Sequence, residues 1–512
     1  MLKNRKMKFQ AIAVLGIGLA WAGWGSAPGG PFGQNGLPAQ EKDPPNIIFI
    51  VTDDQGYADL GAYEFASPGC NTPQMDRIAK KGVLFTQAYA AAPVCSPSRA
   101  ALYTGRYHQR WDSAMYWTPG LPENVPTLAE RLKAHGYATA RVGKSDYGQH
   151  FHDPTAREFP LNHGYDFFLG FSAHAHDYQL LDETIEKATP DPYGWSESLG
   201  RLFRNDRKES FENTYTTKLF TDEAIAFIRE HQNEPFFLDL SYNAVHHLIH
   251  EVPAEYLRKW GLPGVASYDP SYGTYAQYYW DYTQVGKISD GEMRRYYLAN
   301  LNCLDDQIGR LLDVLDELGL RENTLIVFLS DNGGEPLSGA NNLPLAGSKY
   351  TMYEGGIRVP FMLSWPASLP RKQVYRHRVS ALDLVPTCLE AAGIDPGAAG
   401  PFDGVSLLDP VRRNEPSAAA GKPLYFKFEK HHAVIDKGWK LVYTENYNPD
   451  NRPITSQILL GRHENQTALY DLTRDPAERN NLLEEEPAKA GELERLFQEW
   501  LAEMRADHSN YH

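Results

Sequence analysis

Apolar runs of strand length that alternate with helical patterns constrain the fold of this chain more than any other feature. The runs are NIIFIVTDD, GVLFTQAYA, YATARVGKSD, PFFLDLSYNAVHH, TLIVFLSDNGG and VPFMLSWP. Their length and their content of β-branched and aromatic residues predict strands that are buried on both faces. Helices between consecutive strands allow those strands to run in the same direction. We therefore expect an α/β fold with a large, mostly parallel sheet flanked by helices.

The segments between the runs carry helix signals. In TPQMDRIAKKG, Thr72 is the expected N-cap, Pro73 the first helical residue and Gly82 the terminator. VPTLAERLKAHG follows the same pattern, and RRYYLANLNCLDDQIGRLLDVLDELGL predicts a long amphipathic helix. Residues 180–215 and 262–290 lack clear periodicity, so we expect long surface insertions there, of the kind that often shape a binding cleft.

The pattern changes near residue 400, where loop-like sequence precedes alternating segments. PLYFKFEK, HAVIDKGWKLVY and TALYDLTR predict antiparallel strands, and AGELERLFQEWLAEM predicts a closing amphipathic helix. We expect a main domain over residues 44–411 and a smaller α+β domain with an antiparallel sheet over residues 412–512.

The N-terminus has the order of a cleaved signal peptide. Basic residues precede an apolar run, and the small residues Gly25, Ser26 and Ala27 follow it. The run is short for a membrane span, which is the alternative. We expect a signal peptide over 1–27, a linker over 28–43, and an exported protein, periplasmic or extracellular, without stable membrane insertion. The net charge of −15 argues against a nucleic-acid partner.

The chain has four cysteines, and we do not expect a disulfide scaffold. Cys303 and Cys388 lie in apolar helical patterns and are expected to be small core residues. Setting Cys95 aside leaves three, which cannot all pair within one chain. Cys70 is the third of these.

Polar residues follow two of the predicted strands at the point where each strand ends. Asp53 and Asp54 follow IIFIVT, and Asp331 and Asn332 follow LIVFLS. In open α/β sheets, ligands bind beyond the carboxyl ends of the strands. Carboxylate and amide oxygens suit Ca²⁺ or Mg²⁺. The alternative is that each pair only caps a helix or forms a turn.

The segment APVCSPSRAALYTGR sets a lone cysteine at the start of a predicted helix. Ser96 is the expected N-cap, Pro97 the first helical residue and Gly105 the terminator. Free amide groups at such an end favour anions, and Arg99 adds a positive charge one turn on. The alternative is a buried structural cysteine. A thiolate nucleophile would need a nearby base, and none is visible locally.

The same segment resembles the signature of the formylglycine-dependent sulfatases, an arylsulfatase-like family of the alkaline phosphatase superfamily. Cys95, Pro97 and Arg99 match its C-x-P-x-R pattern, and further matches run from about residue 45 to residue 370. The resemblance implies an alkaline-phosphatase-like fold. It also implies that a formylglycine-generating enzyme oxidises Cys95 to formylglycine (3-oxoalanine), whose hydrate supplies the nucleophilic hydroxyl.

The resemblance carries further roles onto matching positions. It implies that Arg99 holds the formylglycine hydrate, that Lys144 and Lys349 bind the sulfate, that His246 protonates the leaving oxygen and that Asp331 acts as the base. The implied ligands of the divalent cation, calcium or else magnesium, are Asp53, Asp54, Asp331, Asn332 and the modified Cys95.

One departure from the family concerns the segment GKSDYG, where the family commonly has GKWHLG. Asp146 replaces a histidine that touches a formylglycine hydroxyl. A carboxylate also accepts protons, so Asp146 can take over the role. Alternatively, His150 or His152 serves instead, or Asp146 is inert and turnover is slow.

Aromatic residues make up 12% of the chain, and together with export and long insertions they favour a sulfated carbohydrate as substrate. His174, His176 and Tyr178 belong to a loop that borders the active site in the family, so we expect them to contact the sugar; otherwise they are ordinary loop residues. Two other functions remain open: a phosphate or phosphonate ester hydrolase of the same superfamily, and a non-catalytic protein that binds sulfated glycans.

Overall fold

The computed structural model of the protein describes residues 44–114, 118, 120–149, 152–189, 198–283, 287–444 and 466–511. The expected signal peptide, the linker and His150 lie outside the described residues. The described part contains no helix that is long and apolar enough to cross a membrane.

A ten-stranded mixed sheet forms the centre of the molecule, in the order β11-β2-β10-β9-β1-β8-β4-β5-β6-β7. Its strands are β1 (Asn46–Thr52), β2 (Val83–Phe85), β4 (Ala138–Lys144), β5 (Phe167–Phe171), β6 (Leu202–Arg204), β7 (Arg207–Glu209), β8 (Phe236–Ser241), β9 (Thr324–Ser330), β10 (Phe361–Ser364) and β11 (Gln373–Tyr375). The five adjacent strands from β9 to β5 are all parallel to one another. Antiparallel pairs occur towards the two edges. The expected α/β fold with a mostly parallel sheet is confirmed.

The central strand β1 is buried along its whole length, as its apolar sequence predicts. It pairs with β9 on one side and with β8 on the other. The register sets Thr52 opposite Ser330, so the residues after these two strands leave the sheet side by side. This register brings the two predicted polar pairs to one point of the carboxyl edge.

Helices cover both faces of the sheet, which splits the apolar core between two sides. The helices of the described residues are α1 (Met75–Lys80), α2 (Cys95–Thr104), α3 (Leu128–Lys133), α4 (Glu183–Ala188), α5 (Thr216–Glu230), α6 (Ala254–Trp260), α7 (Tyr275–Thr283), α8 (Asp290–Glu317), α9 (Glu354–Ile357), α10 (Leu384–Ala391), α11 (Pro396–Ala399), α12 (Leu408–Arg413) and α13 (Pro487–Asp507). The predicted long amphipathic helix is α8. Cys303 and Cys388 are fully buried, as expected of core residues.

The predicted start of α1 is wrong by two residues. The helix begins at Met75 instead of Pro73. The reason is a distant cap: the carboxylate of Asp305, on α8, accepts hydrogen bonds from the backbone N–H groups of Gln74 and Met75 at 2.8–3.1 Å. Thr72 instead donates to Asp76.

A second, four-stranded antiparallel sheet lies in the C-terminal part, as the alternating segments predict. Its strands are β13 (Leu424–Phe428), β14 (His431–Asp436), β15 (Trp439–Thr444) and β16 (Gln466–Asp471). A short parallel pair, β3 (Ala88–Tyr89) with β12 (Val379–Ser380), completes the strands described. The domain boundary between residues 411 and 412 stays a prediction.

The segments without clear periodicity do contain regular structure. Residues 180–215 include α4, β6 and β7, and residues 262–290 include α7. Tyr268, Tyr275 and Tyr278 form a buried aromatic cluster there. Aromatic rings in mostly edge-to-face and tilted contacts, rather than an aliphatic stripe, hold this region, which is why its helix gave a weak periodic signal.

Candidate active site

Three carboxylates and one thiol meet where β1 and β9 end. One ligand atom from each of Asp53, Asp54, Asp331 and Cys95 lies within 4.8 Å of the others. Asp54 has a φ of 59°, a conformation that aspartate tolerates better than most residues. All four side chains are buried. Carboxylates packed this closely away from water repel one another unless cations compensate them.

Asn332 completes the oxygen cluster. Its Nδ2 donates to Asp54 Oδ1 at 2.7 Å and to the carbonyl of Gly333 at 2.9 Å. Its Oδ1 is buried and accepts no hydrogen bond from the described residues. An orphaned amide oxygen beside buried carboxylates fits a hard divalent cation. The residues present therefore suit Ca²⁺ or Mg²⁺.

Cys95 is the first residue of α2, and Val94 is the N-cap. The expectation that Ser96 caps this helix is wrong by two positions, because the hydroxyl of Ser96 is used elsewhere in the site. Gly105 ends the helix in the left-handed region, as predicted. The Cys95 Sγ donates to Asp53 Oδ1 at 3.4 Å. Burial raises the pKa of the Cys95 thiol well above its usual range, so the unmodified side chain is neutral here.

Arg99 lies one turn along α2 and joins this helix to the end of β9. Its Nε and Nη2 are 2.9 and 2.8 Å from Asp331 Oδ2. The backbone carbonyl of Asp331 accepts a hydrogen bond from the Ser98 hydroxyl at 2.5 Å. The geometry fixes Asp331 relative to Cys95 through neighbours on the same helix.

Two buried lysines flank the carboxylates. Lys144 Nζ is 2.8 Å from Asp53 Oδ2, and Lys349 Nζ is 2.7 Å from Asp54 Oδ2. Although burial acts against the charged form, Asp53 raises the pKa of Lys144 and Asp54 raises that of Lys349. Gly143 precedes Lys144 with a φ of 106°, and a Cβ there would lie 1.9 Å from the carbonyl oxygen of Ser241. A side chain at this position would push β4 away from β8.

With every ionisable side chain of the site charged, a divalent cation together with one monoanion would bring its net charge to zero. A divalent ion turns the net balance of the side chains from one negative to one positive charge, and a sulfate monoester carries one negative charge. The cationic side chains are Arg99, Lys144 and Lys349, and the carboxylates are Asp53, Asp54, Asp146 and Asp331.

His246 reaches the cluster from the loop after β8. Its Nε2 is 3.6 Å from Asp54 Oδ2. Burial, followed by the charge of Lys349, lowers the pKa of His246 well below its usual range, so the imidazole is neutral. The adjacent His247 points elsewhere: its Nδ1 is 2.8 Å from the hydroxyl of Ser338.

Asp146 lies within the same site. It adopts a φ of 55°, and its Oδ1 accepts a hydrogen bond from the hydroxyl of Ser96, the residue after Cys95. Its Oδ2 is 3.2 Å from Lys144 Nζ. Burial alone would raise the pKa of Asp146, but Lys144 and the Ser96 hydrogen bond lower it below the ordinary value. An ionised carboxylate thus contacts the residue that follows Cys95.

The three expected sugar contacts differ in position. His174 is half-buried and close enough to Asp146 for their charges to interact. His176 is buried, and its Nδ1 lies 3.0 Å from the carbonyl oxygen of Asp177. Tyr178 is fully buried and donates to the carbonyls of Asn243 and His246, each at 2.9 Å. In this structure His176 and Tyr178 are buried against backbone carbonyls, and His174 is the member of the set that is partly exposed and interacts electrostatically with Asp146.

Sequence reasoning missed Ser96 as a partner of Asp146, and it missed Arg141. The Arg141 guanidinium lies 2.7 Å from Asp239 Oδ2, and its Nη2 donates to the backbone carbonyl of Lys144 at 2.6 Å. Tyr103, Tyr147 and Tyr165 surround it with their rings. A signal was available, because Arg141 and Asp239 are charged residues inside two otherwise apolar strand runs. In the structure β4 and β8 pair these two residues directly.

Comparisons with known proteins agree with this geometry. A family model described as Sulfatase matches residues 45–394, and one described as N-sulphoglucosamine sulphohydrolase, C-terminal, matches residues 348–507. The N-acetylgalactosamine-6-sulfatase of Sus scrofa is 33% identical over 386 residues, which cover 71% of this chain and 65% of that protein. This chain thus spans just under two thirds of the length of the pig protein. The Mus musculus protein of the same name is 30% identical over 479 residues, with coverages of 86% and 83%.

A solved structure extends the similarity to the whole fold. Ps i-CgsB in complex with k-i-k-neocarrahexaose has a TM-score of 0.73 and 28% sequence identity. The superposition covers 90% of this chain and 93% of that chain. The motif around Cys95, the arrangement of the acidic cluster and the match over residues 45–394 lead to one conclusion: the chain belongs to the sulfatase family.

Proposed function

We propose that the protein is a sulfuric ester hydrolase that removes sulfate from a sulfated carbohydrate. The observation that carries this proposal is the position of Cys95, whose sulfur lies among buried carboxylates with two buried lysines beside them. A bound anion would contact both lysines and, once a cation is present, the cation as well.

Asp53, Asp54, Asp331 and Asn332 would hold the divalent cation, with the modified side chain of residue 95 as a further ligand. When bound, the cation polarises oxygen atoms, and formylglycine made from Cys95 supplies a hydroxyl nucleophile in its hydrated form. Oxygen donors suit Ca²⁺ and Mg²⁺ alike, and calcium is the cation that the family resemblance implies.

The side chains of this protein then divide the work of ester cleavage. Lys144 and Lys349 bind sulfonyl oxygens and spread their charge. Arg99 occupies Asp331 Oδ2, which leaves Oδ1 with one long hydrogen bond among the described residues, 3.3 Å from the backbone nitrogen of Asp54. Oδ1 is therefore the atom that takes the proton of the attacking hydroxyl. His246 would donate its Nε2 proton to the leaving alcohol oxygen from its protonated form, which the negative charge of a bound sulfate ester favours.

Asp146 has the position needed for the later proton transfer. Its Oδ1 is held by Ser96 and its Oδ2 lies by Lys144, so the carboxylate is fixed beside residue 95. We propose that it accepts a proton from the second hydroxyl of residue 95, the step that releases sulfate. This assignment makes a role for His152 unnecessary.

The substrate class rests on the relatives and on His174. N-acetylgalactosamine-6-sulfatases are named for a sulfated sugar, and Ps i-CgsB was solved with a carbohydrate. His174 is half-buried beside the site, where a ring nitrogen can contact a sugar hydroxyl. We further propose export through the N-terminal signal peptide, after maturation by a formylglycine-generating enzyme.

Sulfate release from defined sulfated oligosaccharides by mature protein tests the proposal. We expect Cys95→Ala to lose at least about 10³-fold in kcat, while Cys70→Ala retains it. Mass spectrometry of the peptide that contains Cys95 should show formylglycine. Faster hydrolysis of a phosphate ester than of the sulfate ester of the same alcohol would contradict the proposal, as would a peptide that still alkylates as cysteine.

A further inference from the structure

A second cleft lies outside the active site, between one edge of the large sheet and the hairpin of β14 and β15. Its volume is about 680 Å³, within the range of ligand-binding clefts. Residues after β1 and β2 line one wall, and residues of the β14–β15 turn line the other. None of the proposed catalytic residues is among those that line it.

The first wall offers a rigid aromatic face. Phe65 is half-buried, and its ring stacks on Tyr57 at 4.8 Å and on Tyr63 at 4.9 Å between centroids. Both tyrosines are buried, and their hydroxyls donate to the backbone carbonyls of Thr86 and Phe85. The flat face of Phe65 is therefore held in one orientation, with little conformational entropy left to lose on binding.

The rim is strongly cationic for a chain with a net charge of −15. Its lining holds four cations and one carboxylate, Glu64. Arg358 and Arg378 are tied to the protein, since Arg358 Nε donates to the Thr86 carbonyl at 2.8 Å and Arg378 Nη1 to the Ile435 carbonyl at 2.7 Å.

The other two cations point to a ligand. Arg376 is exposed, and its guanidinium makes no hydrogen bond or ion pair with the described residues. Lys437 is also exposed, and its Nζ is 3.7 Å from Asp436. Guanidinium and ammonium groups bind sulfate oxyanions through charge-assisted hydrogen bonds. An aromatic face next to such groups suits a ligand that has both an apolar face and anionic substituents.

We propose that this cleft is a second, non-catalytic binding site for a sulfated oligosaccharide, in which Phe65 stacks on a pyranose ring and Arg376 and Lys437 bind its sulfate groups. The choice of a sulfated ligand over another anionic sugar rests on the proposed function. Since β2 runs parallel to β1 and lies three strands away, the cleft opens at the same sheet edge as the active site, about 14 Å along it. An oligosaccharide held here keeps its polymer near the catalytic residues.

Retardation of the full-length protein in native gels that contain carrageenan or chondroitin sulfate tests the site. All proteins in this experiment carry Cys95→Ala, which prevents turnover. We expect Arg376→Ser/Lys437→Ser to weaken retention in at least one polymer by about tenfold in apparent Kd. The matched control is Arg371→Ser/Lys372→Ser, which removes two exposed positive charges outside the cleft lining, one of them paired with Glu322, and should change retention less than twofold. Phe65→Leu should weaken retention without a change of charge.

Equal retention of the two double variants would overturn the proposal, and so would the absence of retention in both polymers. Turnover of a small aryl sulfate separates this result from the proposed function. With Cys95 intact, Arg376→Ser/Lys437→Ser should hydrolyse it at the parental rate. A further outcome is a protein that hydrolyses no sulfate ester and still shows the difference in retention between the two double variants. That result would contradict the proposed function and support the second binding site.

Discussion

The Nδ2 of Asn332 donates a hydrogen bond to Asp54 Oδ1 at 2.7 Å, although 278 positions separate the two residues. This bond fixes which atom of the amide remains for a ligand. Oδ1 of Asn332 is left buried and without a partner among the described residues, beside the carboxylates of Asp53 and Asp331. The bond therefore leaves a buried amide oxygen in the acidic cluster, where it suits the proposed cation.

Removal of this amide should weaken cation binding. We expect Asn332→Ala to raise the apparent Kd for Ca²⁺ by at least about tenfold, because one ligand and the orientation of Asp54 are both lost. The rise in Tm on addition of Ca²⁺ measures the effect, and a chelator should lower the Tm of the parent more than that of the variant. Asn124→Ala, at an exposed position, is the control. An unchanged calcium response of Asn332→Ala would remove this residue from the site.

Asp146→Asn tests whether the carboxylate charge of residue 146 is needed, because the two side chains have nearly the same shape. Asparagine tolerates the φ of 55° and keeps an oxygen for the Ser96 hydroxyl, but it cannot take up a proton. We expect kcat for desulfation to fall about 10²-fold or more, with a smaller change in KM. Asp112→Asn, at a φ of 56° on the surface, controls for the backbone conformation. Unchanged kcat in Asp146→Asn would mean that Asp146 is inert.

Arg141→Met should destabilise the protein strongly. The substitution leaves Asp239 charged and buried, which costs about 3–5 kcal/mol in the free energy of unfolding. Adding Asp239→Leu should recover part of this loss. Arg371→Met breaks an exposed ion pair with Glu322 and should cost less than about 1 kcal/mol. Denaturant unfolding of the four proteins measures these differences, and a cost for Arg141→Met no larger than that of Arg371→Met would contradict the expectation.

Glu251 should make stability depend on pH. Its Oε2 accepts hydrogen bonds from the N–H groups of Tyr178 and Gln179 at 2.8 and 3.0 Å, while its Oε1 and Asp177 Oδ2 have no partner among the described residues. Burial raises the pKa of Glu251 to about 7, and burial together with the charge of Glu251 raises the pKa of Asp177. The protonated form is thus favoured in the folded state.

The direction of this pH dependence follows from the raised pKa of Glu251 in the folded protein. An unfolded chain releases the proton of a glutamate near its ordinary pKa, so the free energy of unfolding should fall as pH rises from about 4.5 to about 7, by up to about 1.4 kcal/mol per pH unit. Glu251→Gln removes this loss, so its stability relative to the parent should improve across that range. The exposed Glu212→Gln should show no such trend. Parallel curves for Glu251→Gln and the parent in urea unfolding at several pH values would contradict the assignment.

Patterns of apolar residues over a few positions predicted the strands and the long helix of the fold. Every quoted apolar run contains a strand, and the long amphipathic segment is α8. The limits of local reasoning appear at α1 and α2: Thr72 and Ser96 have good capping side chains, yet both are used in other hydrogen bonds. A cap supplied by Asp305 from another helix leaves no trace in the sequence around α1.

The sequence by itself determined that oxygen-bearing pairs follow two buried strands, that Cys95 lies at the N-terminal end of a helix with Arg99 one turn on, and that the motif resembles one family. Only the tertiary structure decided that β1 and β9 are neighbours in the register that joins Asp54 to Asn332, and that Ser96 holds Asp146. The physical reason is the range of the interactions. Backbone periodicity and helix termini depend on residues a few positions apart, whereas strand order and the direction of a buried side chain depend on which distant groups satisfy its charge and hydrogen bonds.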